Sequence, residues 1–399
     1  MNTTQKGLLL LLKSAVTGEA LPLPEDFSLE AADPVIRRQS LLPLAYQGAY
    51  NCGISPGTEL MQQYQKQYFK ILMHSQKQMR AVQQLYRVFE ENGIDYMPLK
   101  GCNMKQMYPQ PEMRMMGDAD ILIRIAQYSR IKSVMEQLGF EKGEENLYEF
   151  HWHRSDLHLE LHKSLFSEDE KDLYDYYGDG WEQGVVQDAF YYRLRCEDEY
   201  VHLFAHMAKH YRKGGIGSRQ ILDLYVYRRV HPQMDETYIE QIIAGIGMLA
   251  FYRNTKKLLA VWFENGAPDE TTECMTQYIL SGGNWGTNKH FNIAAQVKRD
   301  AESEEIHFSQ LRILWYAIFP TMEEMRFRHP ALMKRPVLYP VFWLRRAWRL
   351  VFGRTGAMGR KIRQVEAISD KDVNNWKQQL QLVGLDFCEG TAHDEKYKN

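Results

Sequence analysis

Neither sign of charge is in excess in this sequence: 49 Lys and Arg stand against 51 Asp and Glu, a net −2 over 399 residues. A chain without a positive field is poorly matched to polymeric nucleic acid, which recruits its partners through clustered basic residues. Cysteine is scarce as well. Cys52, Cys102, Cys196, Cys274 and Cys388 are odd in number, far apart and without a Cys-x-x-Cys pair. That excludes a disulfide framework and a cysteine-rich zinc site, and it fits a reducing cytoplasm. Long apolar runs are missing too. The LLLLL at residues 8–12 is far shorter than the roughly 20 residues of a membrane span, and Ser14 and Glu19 soon interrupt it. A buried helix is expected there, not a signal segment. No internal repeat or low-complexity stretch occurs. What is present is apolar material for cores: 44% of residues are hydrophobic, at a length that suits two or three domains.

The periodicity of these apolar residues changes along the chain. Leu60, Tyr64, Tyr68, Ile71, Leu72, Met79, Val82, Leu85, Tyr86 and Phe89 recur at helical steps, which predicts one long amphipathic helix stopped near Gly93. After residue 90 the spacing shortens. Residues 94–99 and 118–125 read as strands, with a helix starting at Gly101 and another over 127–138 that ends at Gly139. Tyr148, Phe150 and Trp152 alternate with Glu149, His151 and His153, a Ser155-Asp156 turn follows, and residues 157–161 alternate again, which predicts a hairpin. Helical spacing returns over 198–212, 220–230 and 237–262, and again over 304–318. The expected class is α+β, divided as a helical region 1–90, a mixed core 91–195, a helical domain 196–330 that completes the site, and a basic aromatic helical region 331–399.

The densest chemistry lies in LKGCNMKQMYPQPEMRMMGDADILI, residues 99–123. On a strand Asp118, Asp120 and Leu122 share one face, while Ala119, Ile121 and Ile123 share the other. Paired carboxylates of this kind suit a hard divalent cation such as Mg²⁺ or Mn²⁺, which takes oxygen ligands from protein and from phosphate, and so they point to phosphoryl or nucleotidyl transfer. Gly101 lets the backbone come close to a phosphate. A helix opening there aims unpaired N–H groups and its positive end at the anion, and Lys100 adds a mobile charge. A third acid should complete the metal site. Glu160 in LHLELH is the candidate, as ligand or as the base for an acceptor hydroxyl, because alternation puts His158, Glu160 and His162 on one face and Leu157, Leu159 and Leu161 on the core face.

The ordered set Leu99-Lys100-Gly101, Tyr108-Pro109, Arg114 and Gly117-Asp118-x-Asp120 resembles the nucleotidyltransferase superfamily with the polymerase β-like fold. Within it, the set looks most like the bacterial family labelled uncharacterised nucleotidyltransferases. The resemblance implies that an NTP is the substrate, that Asp118, Asp120 and Glu160 are catalytic metal ligands, and that Lys100, Gly101 and Arg114 contact its phosphates. It departs from the superfamily signature at Gly101-Cys102, where a serine hydroxyl is usual. The stretch HMAKHYRKGGIGSRQILDL, residues 206–224, is also similar to the family. It implies that Lys209, His210, Arg219 and Asp223 face the nucleotide, with Arg219 forked on a β- or γ-phosphate and Asp223 orienting it. A salt bridge is the plainer role for Asp223, and Arg114 has Glu112 nearby as an ordinary partner.

Three further features have bland readings beside sharp ones. His202, His206 and His210 share a helix face, but no carboxylate and third ligand stand where a zinc helix needs them. Trp285 in SGGNWG is either a stacking surface or a packed loop residue. Residues 341–354, VFWLRRAWRLVFGR, suit a helix lying on the inner face of a membrane or one docked on the core by its aromatics. The expected activity is transfer of a nucleoside monophosphate from an NTP to a small molecule, sugar or protein. The alternatives are a catalytically silent nucleotide-binding or partner-binding module, and a structural envelope-associated protein.

Overall fold

The computed structural model describes residues 1–168, 170–284, 286, 290–294, 335–352 and 369–385, with Met322, Met325 and Leu332. Four helices open the chain: α1 (Thr3–Thr17), α2 (Leu29–Arg38), α3 (Leu42–Asn51) and α4 (Glu59–Glu91). The last is the long amphipathic helix that the apolar spacing predicts. The Thr58 side chain accepts from the Met61 amide at its start, and at its end Asn92 is followed by Gly93 at φ +62°, a left-handed conformation that a glycine adopts without steric cost.

A mixed α/β unit follows, with β1 (Tyr96–Pro98), α5 (Lys100–Met107), β2 (Ala119–Ile123), α6 (Tyr128–Gln137), β3 (Glu141–Glu145), β4 (Glu149–Arg154), β5 (Leu157–His162), α7 (Lys171–Tyr177), β6 (Gly184–Asp188) and β7 (Tyr191–Leu194). These strands form one seven-stranded sheet in the order β3-β4-β5-β2-β1-β7-β6. β2 runs parallel to β5 and antiparallel to β1, while β4 and β5 make the expected hairpin. The class is therefore α+β with a mixed sheet. β3 and β6 escape the sequence pattern because they are edge strands with little buried surface, and β7 between β1 and β6 is only half-buried, so no strict apolar alternation marks them.

Strand β2 has both faces buried, and its two faces feed two cores. Ala119, Ile121 and Ile123 join Leu157, Leu159, Leu161, Phe150 and Trp152 on one side of the sheet. Leu122 joins the other core, which also takes in α1 to α3 and the helices after residue 195. Those are α8 (Cys196–Lys213), α9 (Ser218–Val230), α10 (Glu236–Gly245), α11 (Leu249–Phe263) and α12 (Glu270–Ser281); of α13 (Tyr339–Phe352) and α14 (Asp370–Val383), later in the chain, α14 joins the same core. The boundaries drawn near residues 90 and 196 thus mark changes of secondary structure, while the flanking helices share one core. The single helix expected over 237–262 is two, because Gly247 at φ +72° breaks it between α10 and α11. Residues 304–318 and Trp285 lie outside the described residues.

Buried Gln39 fixes the start of α9. Its side chain donates to the Ile279 carbonyl at 2.7 Å and accepts from the Ser218 amide at 2.9 Å, which ties α2, α9 and the end of α12 together. Gly214 and Gly215, with φ +131° and +136°, lie against Gly286, and a side chain at any of the three would strike backbone. The glycines of KGGIGS and SGGNWG therefore serve close backbone approach, and that packing sets where α9 begins.

Candidate active site

Asp118 immediately precedes β2 and Asp120 is its second residue, so the pair projects from the strand's entrance toward the helical side. Asp118 is half-buried and Asp120 is 3% exposed. On the neighbouring parallel strand Glu160 stands directly opposite Asp120 in register, and His162 stands opposite Leu122. Parallel partners point to the same face, which brings Glu160 and His162 to Asp120. One ligand atom from each of Asp120, Glu160 and His162 lies within 4.8 Å of the other two.

One oxygen of Asp120 carries two partners. Lys100 donates to Oδ1 at 3.1 Å, and His162 Nε2 lies 3.0 Å from the same atom. Burial opposes the charge on Asp120, but Lys100 and His162 outweigh it and hold the carboxyl well below its usual range. Glu160 goes the other way. Burial, then the neighbouring Asp120 and Asp118 carboxylates, push it up to about 9. Crowded acids of this kind share too little positive charge, a deficit that a divalent cation removes.

Lys100 also lies 3.1 Å from Nε2 of His206, which is 3.1 Å from Nε2 of His210. An ammonium group can only donate, so His206 presents a lone pair to it. Burial, together with Lys100 and His210, keeps His206 far below its ordinary pKa and therefore neutral. Of the three α8 histidines only His206 and His210 meet, and among the described residues the three do not form a metal-ligand group.

The opposite wall is built around Asp223 on α9. Arg114 forks onto it with Nε to Oδ1 at 3.0 Å and Nη2 to Oδ2 at 2.9 Å, and the Tyr108 hydroxyl donates to Oδ1 at 2.7 Å. Arg114 thus pairs with Asp223, while Glu112 instead accepts from Tyr68. The expected Arg219–Asp223 pairing gives way to this fork. Arg219 donates to the Met115 carbonyl at 2.9 Å, and burial with the adjacent Arg114 lowers its pKa. Two guanidinium groups beside one carboxylate leave a surplus of positive charge on this wall.

Three successive carbonyls of the segment between α5 and β2 are gripped from three elements. Buried Lys105 of α5 donates to that of Arg114 at 2.9 Å, Arg219 of α9 to that of Met115, and Gln78 of α4 to that of Met116 at 3.1 Å. This grip sets where Asp118 emerges. Lys105, Gln78 and Tyr108 carry the positioning, and only the Tyr-Pro motif signalled any of them in the sequence.

Between the walls lies a cleft lined by Lys100, Gly101, Arg114, Asp118, Asp120, His206, Arg219 and Asp223 among others. Gly101 sits at its edge, where a Cβ would come within 3.4 Å of the Asp118 carbonyl. Lys209 and His210 do not line the cleft: Lys209 lies over the rings of Tyr148 and Phe166, and the His210 ring packs tilted against His206. A family described as uncharacterised nucleotidyltransferase matches residues 26–264, more than half of the chain. The chain belongs to this family. No curated protein and no solved structure matches it. The matched span contains both walls of the cleft, from α2 through α11.

Proposed function

We propose that this protein is a divalent-metal-dependent nucleotidyltransferase with a polymerase β-like core. It moves a nucleoside monophosphate from an NTP to a hydroxyl or phosphate of an acceptor and releases pyrophosphate. The observation that carries the reading is the in-register pair of Asp120 and Glu160 on adjacent parallel strands, with Asp118 and Asp120 lining a cleft whose far wall is cationic and Glu160 beside them, outside that lining. The arrangement of α5, the acid pair on β2 and a third acid on β5 supports the polymerase β-like core.

The donor set fits the metal that this chemistry requires. Asp118, Asp120 and Glu160 offer hard carboxylate oxygens, and Glu160's raised pKa marks a shortage of positive charge among them. These three residues would hold Mg²⁺ or Mn²⁺, which supplies charge neutralisation at the phosphate oxygens during in-line displacement. The chain's own groups supply the rest. The amides at the start of α5 and the Lys100 ammonium receive phosphate oxygens, and Arg219 meets the outer phosphates, while Arg114 and Asp223 hold the segment before β2 in place. His162 orients Asp120, and neutral His206 keeps Lys100 directed at the acids.

The near-neutral surface favours a small molecule, sugar or protein side chain as acceptor over a long nucleic acid. Contact with an anionic membrane from the cytoplasmic side is the finer partner reading. It is supported by Val341, Leu344 and Trp348, which stand exposed along α13 beside exposed Arg345, although among the described residues no helix is long and apolar enough to cross a membrane. The test of the main reading is incubation with labelled NTPs, Mg²⁺ and a cell extract. Label should pass to an acceptor and fall about 10³-fold or more with Asp118→Ala and Asp120→Ala together, given several kcal/mol of charge stabilisation. Transfer untouched by the double substitution would refute the site, and nucleotide binding without transfer would favour the silent binding module.

A further inference from the structure

Beside the acids, the same sheet face carries a second group of potential ligands, whose two histidines nucleotidyl transfer does not use. One ligand atom from each of His151, His158 and Glu160 lies within 4.8 Å of the other two. His151 of β4 stands opposite Glu160 of β5, and His158 lies two residues before Glu160 on the same strand face. All three are half-buried.

The orientation of His151 is set from behind. Its Nε2 lies 3.1 Å from Glu149 Oε1, which leaves Nδ1 directed at Glu160 Oε1 across 3.5 Å. Glu149 is 5% exposed and is further held by Asn146 at 2.7 Å. A carboxylate that receives the distal N–H of an imidazole is the usual support for a metal-binding histidine, because it fixes the ring and sharpens the lone pair. With Nε2–H given to Glu149, Nδ1 and Glu160 Oε1 present lone pairs to each other. The 3.5 Å between them is long for a hydrogen bond, yet it matches the ~3.4 Å that separates two ligands around a tetrahedral ion with bonds of about 2.0–2.1 Å. His158 Nε2 is buried and has no hydrogen-bond partner among the described residues.

We propose that His151, His158 and Glu160 form a second metal site, for a divalent transition ion of the Zn²⁺ class, adjoining the oxygen-rich site and sharing Glu160 with it. The two oxygens of Glu160 face different neighbours: Oε1 lies 3.5 Å from His151, and Oε2 lies 3.8 Å from His162 on the Asp120 side. Two imidazoles and one carboxylate favour Zn²⁺ or Co²⁺, whereas Mg²⁺ prefers the all-oxygen set. The assignment to the histidine group stands on its own geometry. Only the sharing of Glu160 with a catalytic ion rests on the proposed function.

The experiment is titration of the full-length, metal-stripped protein with Zn²⁺ in millimolar Mg²⁺ by calorimetry, paired with visible absorption on addition of Co²⁺. One ion per chain should bind, with the Co²⁺ bands of a low-coordinate nitrogen-containing site. His151→Ala and, separately, His158→Gln should abolish that event while leaving the far-ultraviolet circular dichroism unchanged. Glu149→Gln should weaken it about 10- to 100-fold. Asp118→Ala with Asp120→Ala, which ends nucleotidyl transfer if the proposed function holds, should leave Zn²⁺ binding intact, so the two readings fail separately. Zn²⁺ binding that survives loss of either histidine, that disappears instead with His162→Ala, or that is absent in the wild-type protein would overturn the proposal.

Discussion

On the sheet wall of the cleft Asp120 meets Lys100 and His162 through a single oxygen, whereas on the helical wall Asp223 meets Arg114 through both oxygens and Tyr108 besides. Both pairs are buried ion pairs, but they differ in what they leave over. The Arg114 fork has complementary, nearly saturated geometry, with Tyr108 completing the contacts of Asp223 and Arg219 adding positive charge beside it. Lys100 serves Asp120, neighbours Asp118 and Glu160, and leans on His206. Such a pair can exchange partners when a cation or a phosphate arrives. The helical wall is therefore scaffold, and the sheet wall is where chemistry is poised.

Asp223→Ala gives the largest expected effect on stability. It strands a buried guanidinium, so denaturant unfolding should show a loss of about 3–5 kcal/mol. Arg114→Met combined with Asp223→Leu should recover most of it, since an apolar pair carries no desolvation cost. A loss below about 1 kcal/mol for Asp223→Ala would break the contrast between the walls. Lys100→Met should cost less, about 1–2 kcal/mol, because Asp120 keeps His162. Its larger consequence should be weaker NTP binding, read by calorimetry; unchanged affinity would remove Lys100 from the phosphate site.

The sheet wall should also respond to pH where the helical wall does not. Glu160's folded pKa of about 9 exceeds its ordinary 4.5, so the metal-free folded state holds that proton more tightly and loses stability as pH rises between those values. His202 and His210 are depressed to about 3, and their opposite contribution is complete above their ordinary 6.5. Lys105, lowered to about 8, begins to oppose the trend only above that pH. From pH 6.5 to 8 the melting temperature of metal-free protein should therefore fall, by at most about 1.4 kcal/mol of stability per pH unit. Glu160→Gln should flatten the slope, and an equal slope in that variant would assign it elsewhere. The smallest effect is expected far from both walls. Leu344→Glu with Trp348→Glu should abolish flotation with anionic vesicles and leave transfer to a soluble acceptor unchanged, whereas equal flotation would dismiss the membrane contact.

Much of the sheet wall was legible in the chain. The period-two alternation of GDADILI and LHLELH put Asp118, Asp120, Glu160 and His162 on shared faces before any coordinates, because a strand's side-chain direction is a local property. The helical wall was not legible in that way. That Asp223 serves Arg114 and leaves Arg219 to a carbonyl depends on how α9 is set by Gln39, Gly214 and Gly286, from segments more than 60 residues apart. His202, His206 and His210 were equivalent on a helical wheel, and only the approach of Lys100 singles out His206.

The sequence by itself determined the long helix α4, the hairpin of β4 and β5, and the spacing of the acids, since hydrophobic period and backbone stereochemistry act over a few residues. Tertiary structure decided the rest. Adjacency of β2 and β5 created the Asp120–Glu160 pair, and the packing of α9 chose Asp223's partner. The two oxygens of Glu160 were turned toward different neighbours because each is fixed by contacts from a strand or helix distant in the chain.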